Sequence, residues 1–176
     1  MAAFGIARTQ SRWSGPAFLL FLTPMVVPPI VIAIALFYLY AQISLVATDL
    51  GIIIGHTVTA VPIALVVILS TLKGHDWRLD QAAATLGADR LRVLLRVTLP
   101  LISKGLAAAF IFAFLHSFQE LTIVMFTGGG LKTTLPKQMW DDINLQVNPT
   151  LAAASVIVML IVTTLFILGG ALRSRS

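Results

Sequence analysis

An all-α membrane protein is the fold class that this sequence predicts, with four membrane-spanning helices and one long loop between the second and third. Three observations predict it. Of 176 residues, 58% are hydrophobic and only 11% are charged, whereas a soluble domain carries roughly 25% charged residues. The apolar residues fall into four runs, each at least as long as the roughly 20 residues that a helix needs to cross a bilayer. Within the runs they are continuous rather than alternating, which speaks against barrel strands with their period of two.

Arg8 and Arg12 open the chain, and the first run, 18–41, carries no charge. A basic start followed by an apolar stretch is also how a secretory signal begins. Here the run continues through Pro28 and Pro29 without a clear small-residue cleavage site, so it reads as a span. A short connection, 42–50, places Asp49 at a water interface and leads to the second run, 51–72, again uncharged. Residues 73–104 form a connection far longer than two neighbouring helices require, and long ordered connections tend to be functional. The third run, 105–127, holds one acid, Glu120.

Residues 128–149 begin with Gly128, Gly129 and Gly130. No Gly-Lys-Ser/Thr follows, so the triplet reads as a flexible turn rather than a phosphate loop, and nucleotide binding by this chain is not expected. Thr134 and Pro136 suit a helix start, which predicts a short interfacial helix over 136–145. Asn148 and Pro149 suit the cap and first turn of the fourth run, 150–172.

Orientation follows from the basic residues. Ten of the twelve Lys and Arg lie before the first run, in 73–104 or after the fourth, and only Lys132 and Lys137 lie elsewhere. Because basic loops stay in the cytoplasm, both termini and the 73–104 loop are expected there. The net charge of +5 is then mainly an orientation signal, and nucleic acid is not an expected partner. Cysteine is absent, which removes disulfides, Cys-ligated metals and thiol chemistry. No metal-ligand spacing connects His56, His75 and His116, and no cofactor is expected. The spans show no paired acids or nucleophile–base set, so the chain does not read as an enzyme.

The informative segment is Asp80-Gln-Ala-Ala-Ala-Thr-Leu-Gly87-Ala-Asp-Arg-Leu-Arg-Val-Leu-Leu-Arg-Val-Thr-Leu-Pro100. Residues 79–86 read as a short alanine-rich helix ended by Gly87, which suits a left-handed C-terminal cap. Asp89 suits the cap of a second helix, in which Leu91, Leu94 and Leu95 recur at helical spacing and Arg90, Arg92 and Arg96 take other faces. Small side chains at Ala82, Ala83 and Ala84 permit close approach, and such a helix fits a groove in a partner protein. A plainer reading, an amphipathic helix resting on anionic lipid headgroups, explains the arginines but not the spacing.

That spacing resembles the signature of permeases of binding-protein-dependent ABC importers: Glu-Ala-Ala, three residues, Gly, nine residues, Ile, one residue, Leu-Pro. Here it reads Gln81-Ala82-Ala83, Gly87, Val97 and Leu99-Pro100 with every interval kept. Gln81 and Val97 stand where the pattern has glutamate and isoleucine, and Asp80 supplies a carboxylate next door. Similarity extends over most of the chain. Pro24-Met-Val-Val-Pro-Pro29, His56 with Val61-Pro62, Ser117-Phe-Gln-Glu-Leu121 and Thr134-Leu-Pro-Lys-Gln-Met-Trp140 look like the spermidine/putrescine-type branch. Iron(III), sulfate and thiamine permeases share much of the pattern. Permeases of this branch have six spans, and this chain matches the last four.

The resemblance implies a MetI-like transmembrane domain in a bacterial inner membrane, with a cytoplasmic coupling-helix loop over 73–104. It implies ABC ATPase subunits, a second permease subunit and a periplasmic substrate-binding protein as partners, with membrane lipid around the spans. In that scheme Asp80, Gln81, Ala82, Ala83, Gly87, Val97, Leu99 and Pro100 couple ATP hydrolysis by a separate subunit to alternating access. A polyamine is the expected substrate class. Glu120, at membrane depth where a carboxylate needs a cavity, partner or water, is a candidate for the substrate path, with His116 at i−4 and His56 on the second span. A structural role for Glu120 and simple packing for His56 are the competing readings. Pro28, Pro29 and Pro62 are expected to break helical hydrogen bonds. Asp141 and Asp142 suit either solvent or the basic rim of a binding protein. A four-helix membrane scaffold without transport activity is the rival from another class, and a membrane-embedded enzyme a weaker one.

Overall fold

A computed structural model describes residues 2–8, 12–145 and 150–174. All regular structure among them is helical: α1 Ala2–Arg8, α2 Ser14–Val26, α3 Pro29–Gln42, α4 Asp49–Lys73, α5 Trp77–Thr85 and α6 Arg90–Val93 come first. A π-helical turn, Leu94–Thr98, continues α6, and α7 Leu99–Leu101, α8 Ser103–Gln119, α9 Thr122–Thr127, α10 Leu135–Leu145 and α11 Thr150–Ser174 follow.

α4 is the axis of the molecule. Its 25 residues rise about 37 Å, enough to cross a hydrocarbon core of about 30 Å. Thr48 caps it, accepting from the Gly51 N–H at 3.0 Å. Asp49 in its first turn and Lys73 in its last both complement the helix dipole. Gly51, Gly55, Thr59, Pro62, Leu65, Leu69 and Leu72 are its buried positions, spaced by three or four so that they form one stripe along the helix. Pro62 lies within this continuous helix.

The other runs are broken. Residues 18–41 fall into α2 and α3, which meet at 98°. The sequence explains the break: Val27 precedes Pro28 and Pro28 precedes Pro29, and a residue before proline is pushed out of the α region. Both are extended, with ψ of 133° and 134°, and Pro29 then starts α3 where its missing N–H is harmless. Residues 105–127 are divided at Glu120, whose ψ of 118° separates α8 from α9. By length and composition one described helix, α4, is long enough to cross a membrane alone, and up to three spans result if α2 with α3, and Arg90–Leu101 with α8 across a 72° bend, each count as one. The fourth run, 150–172, lies in α11, where Ala153–Leu165 is apolar.

α8 packs along α4, α3 packs on α9, and α11 packs on α8. The contact of α4 with α8 is backbone-close: a Cβ on Gly105 would stand 2.1 Å from the Thr71 hydroxyl. Near the 73–104 loop, Ala3, Leu65, Leu69, Leu72 and Ile102 form a buried cluster. α1, which the sequence pattern did not suggest, contributes Ala3 to it, and Phe4 meets Trp77 edge-on with ring centroids 5.9 Å apart. At the opposite end, the Ala47 N–H donates to the Thr127 carbonyl at 2.8 Å, and Lys132 pairs with Asp49 at 2.9 Å. The glycine triplet forms a tight turn there, with Lys132 N–H on the Gly128 carbonyl at 3.0 Å. α10 fulfils the expectation of a short helix, beginning at Leu135. The expected cap at Asn148 and Pro149 lies outside the described residues.

Candidate functional site

The 73–104 loop is ordered by its own short side chains. Asp76 caps α5 through the Arg78 N–H at 3.0 Å, and Asp89 caps α6 through the Arg92 N–H at 2.7 Å. Between them α5 ends as the sequence suggested. Gly87 has φ of +87°, the Gly87 N–H donates to Ala84 and the Ala88 N–H to Ala83, which together make a Schellman cap. The open face of α5 carries Gln81 and Ala82, both exposed, with Ala83 half-buried. Val97 and Leu99 are half-buried and Pro100 is exposed.

Asp80 does the opposite of its neighbour Gln81 and turns inward, 5% exposed. Its carboxylate bonds His75 Nε2 at 2.5 Å and accepts from the Thr98 hydroxyl at 2.5 Å. The sequence alone points to neither partner: Thr98 is the free position between Val97 and Leu99, and His75 has no metal-ligand spacing to His56 or His116. The leucine stripe lies largely outward. Val93 and Thr98 are the buried residues of this segment, while Leu91 is 63% and Leu95 is 53% exposed. The π turn accounts for the buried pair, because its extra residue sets Thr98, five residues on, rather than Val97 on the face of Val93. Leu86, at the tip of α5, is 89% exposed.

The second cluster lies between α4, α8 and the start of α10. His56 Nδ1 and the Ser117 hydroxyl are 2.9 Å apart, and both line a cleft of about 550 Å³. Phe114, Phe118, Thr57 and Thr134 share that lining, and among the described residues no acidic side chain does. Phe114 and Phe118 are stacked with centroids 5.8 Å apart. A second recess of about 270 Å³ continues under α10 past Phe118 to Trp140.

Glu120 is buried beside this cleft rather than in its wall. It accepts from the Ile123 N–H at 3.0 Å and so caps the first turn of α9 at the helix break. His116 and Glu120 are both near enough to His56 to act on it electrostatically, so the three candidate path residues gather in one region. The Nε2 atoms of His56 and His116 are buried without a hydrogen-bond partner. On α10, Asp141 pairs with Lys137 and Asp142 accepts from Gln138 at 3.0 Å, so both are engaged along their own helix. Ser117 had appeared only as part of a similar segment, and its bond to His56 spans 61 residues, beyond any local signal.

Comparison with known proteins adds one family match and three relatives to this geometry. The family model described as the binding-protein-dependent transport system inner membrane component matches residues 1–176. The chain is 26% identical over 172 residues to the spermidine/putrescine transport system permease protein PotC of Escherichia coli strain K12, covering 97% of this chain and 65% of that protein. It is 28% identical over 142 residues to the putrescine transport system permease protein PotI of the same strain, covering 77% and 50%. It is also 29% identical over 146 residues to a probable molybdenum ABC transporter permease protein of Haloferax volcanii, covering 78% and 54%. The chain thus spans between half and two thirds of the length of these relatives.

Proposed function

Because this chain belongs to the family of binding-protein-dependent transport system inner membrane components, we propose that it serves as a permease subunit of an ATP-driven importer in which 73–104 is the cytoplasmic loop docking the ATPase. The observation that carries this reading is the presentation of α5. A Schellman-capped helix offers Gln81 and Ala82 outward, and Leu79, Leu86, Leu91 and Leu95 are 47%, 89%, 63% and 53% exposed. Large apolar side chains on an otherwise polar loop favour burial against a partner. ATP hydrolysis then belongs to the partner subunit, and a second permease subunit and a periplasmic binding protein complete the path.

A polyamine is the substrate class we favour, on the strength of the relatives named for spermidine and putrescine. The stacked faces of Phe114 and Phe118 beside the cleft suit an ammonium group by cation–π attraction, and Glu120 adds a carboxylate behind them. The wall itself favours a second reading. It offers an imidazole and hydroxyls without an acid, which suits an oxyanion such as sulfate, and iron(III) and thiamine permeases belong to the same superfamily.

Co-expression with the cognate ATPase tests the docking role. Association in detergent is expected, with loss on Gly87→Trp. No Cβ contact obstructs position 87, but its φ of +87° costs an L-residue about 1–2 kcal/mol, and a large side chain would stand where the partner sits. An intact complex in the variant would remove the docking role, and no association by the parent chain would leave the scaffold reading. Uptake of labelled putrescine, competed with sulfate, separates the substrate classes.

A further inference from the structure

Of the three acids in the loop, Asp76 and Asp89 are exposed and cap the helices that follow them. Asp80 alone is buried, and its two oxygens face opposite roots of the loop. Oδ2 meets His75 at 2.5 Å, with both side chains 5% exposed or less. His75 is fixed to the end of α4, since its N–H donates to the Leu72 carbonyl at 3.2 Å, and its ring meets Trp77 edge-on at 4.9 Å. Oδ1 accepts from Thr98 at 2.5 Å. Thr98 closes the π turn and is 2% exposed. Just beyond it, Leu99 and Pro100 lead through the buried Ile102 into α8. One carboxylate therefore ties α5 to the end of α4 and to the entry of α8, the two helices with the backbone-close contact at Gly105.

The geometry points to Asp80 as a positioning residue that fixes the orientation of α5 relative to the α4–α8 pair, with Thr98 as its obligatory partner. The inference rests on the reading of 73–104 as the ATPase-docking loop. A hinged α5 would absorb a displacement applied at Leu86 by tilting about Asp76. An α5 held at Asp80 passes the displacement to both spans, because buried charge-assisted hydrogen bonds resist rearrangement. The π turn has a place in this arrangement: its added residue sets Thr98 inward, where the hydroxyl reaches Asp80, rather than on the exposed side with Leu95.

The chain has no cysteine, so spin labels can be placed at Thr85→Cys on α5 and Val66→Cys on α4 in the complex with its ATPase. Pulsed electron resonance then reads the distribution of distances between them. The parent and Thr98→Ser, which keeps the hydroxyl, are expected to give the same narrow distribution. Thr98→Val keeps the shape and removes the donor, and the distribution is expected to broaden about twofold, as a segment released from a tertiary anchor does. Asp80→Asn is expected to fall between them, since it keeps an acceptor for Thr98 and loses the charge. A narrow distribution in Thr98→Val, with the ATPase still bound, would overturn the positioning role and leave the docking role standing. Failure of the labelled parent to bind the ATPase would overturn both.

Discussion

At the residue scale Glu120 has a capping role in the structure and a path role proposed for it, which a pair of substitutions can separate. Its carboxylate caps α9 through the Ile123 N–H at 3.0 Å, and it lies close to His56. Glu120→Gln keeps an acceptor for the cap, so the thermal midpoint in detergent is expected to stay near that of the parent. Glu120→Ala leaves the Ile123 N–H unpartnered and is expected to destabilise by about 1–2 kcal/mol, the usual loss of a helix cap. If the charge also serves a cationic substrate, Gln loses uptake while keeping its midpoint; full uptake in the Gln variant would confine Glu120 to capping. The sequence marked Glu120 because an acid at membrane depth is costly, yet it could not tell path from cap. That distinction depends on where α8 stops. Gly87 and Asp89 were legible for the converse reason: a C-terminal glycine and an N-terminal aspartate act within four residues of themselves, so spacing alone places them. Asp80 was noticed only as a spare carboxylate beside Gln81, since its partner Thr98 is brought to it by a π turn that no residue pattern announced.

At the element scale α4 was the most readable part of the chain. Its apolar run is continuous, and the glycines, Thr59 and Pro62 fall on the buried stripe with the leucines. The first run looked equally continuous by composition, and the two successive residues before prolines turn it through 98°. The prolines were seen as helix breakers, but the size of the bend depends on Val27 and Pro28 both leaving the helical region. The pairing of α4 with α8 was not legible at all, because a glycine in an apolar run says nothing about what approaches it. That pairing can be tested directly. Gly105→Ala would set a Cβ 2.1 Å from the Thr71 hydroxyl and 2.6 Å from its Cβ, and a β-branched side chain in a helix has little freedom to yield. A loss of about 1–3 kcal/mol is expected from such overpacking, read as a lower midpoint in detergent. Gly5→Ala, where nothing lies within 4 Å, serves as the control and is expected to keep the midpoint or raise it slightly, as alanine does in a helix. Equal behaviour of the two variants would mean that α4 and α8 do not approach as described.

At the scale of the whole molecule, the two ends differ in kind, and the proposed coupling function requires a particular one of them to face the cytoplasm. One end carries the loop with Lys73, Arg78, Arg90, Arg92, Arg96 and Lys104, and the other carries Lys132 and Lys137. Both of these last are paired, with Asp49 and with Asp141. Retention of basic loops on the cytoplasmic side predicts the α5 tip inside and the turn at 128–132 outside. The natural absence of cysteine makes the orientation measurable one residue at a time. Leu131 is 84% and Leu86 is 89% exposed, so Leu131→Cys and Leu86→Cys present thiols of similar accessibility at opposite ends. A membrane-impermeant maleimide is expected to label Leu131→Cys in intact spheroplasts and Leu86→Cys only after permeabilisation. The reverse pattern would set the 73–104 loop in the periplasm, where no ATP is available to a docked ATPase, and both the coupling role of that loop and the positioning role of Asp80 would fall with it.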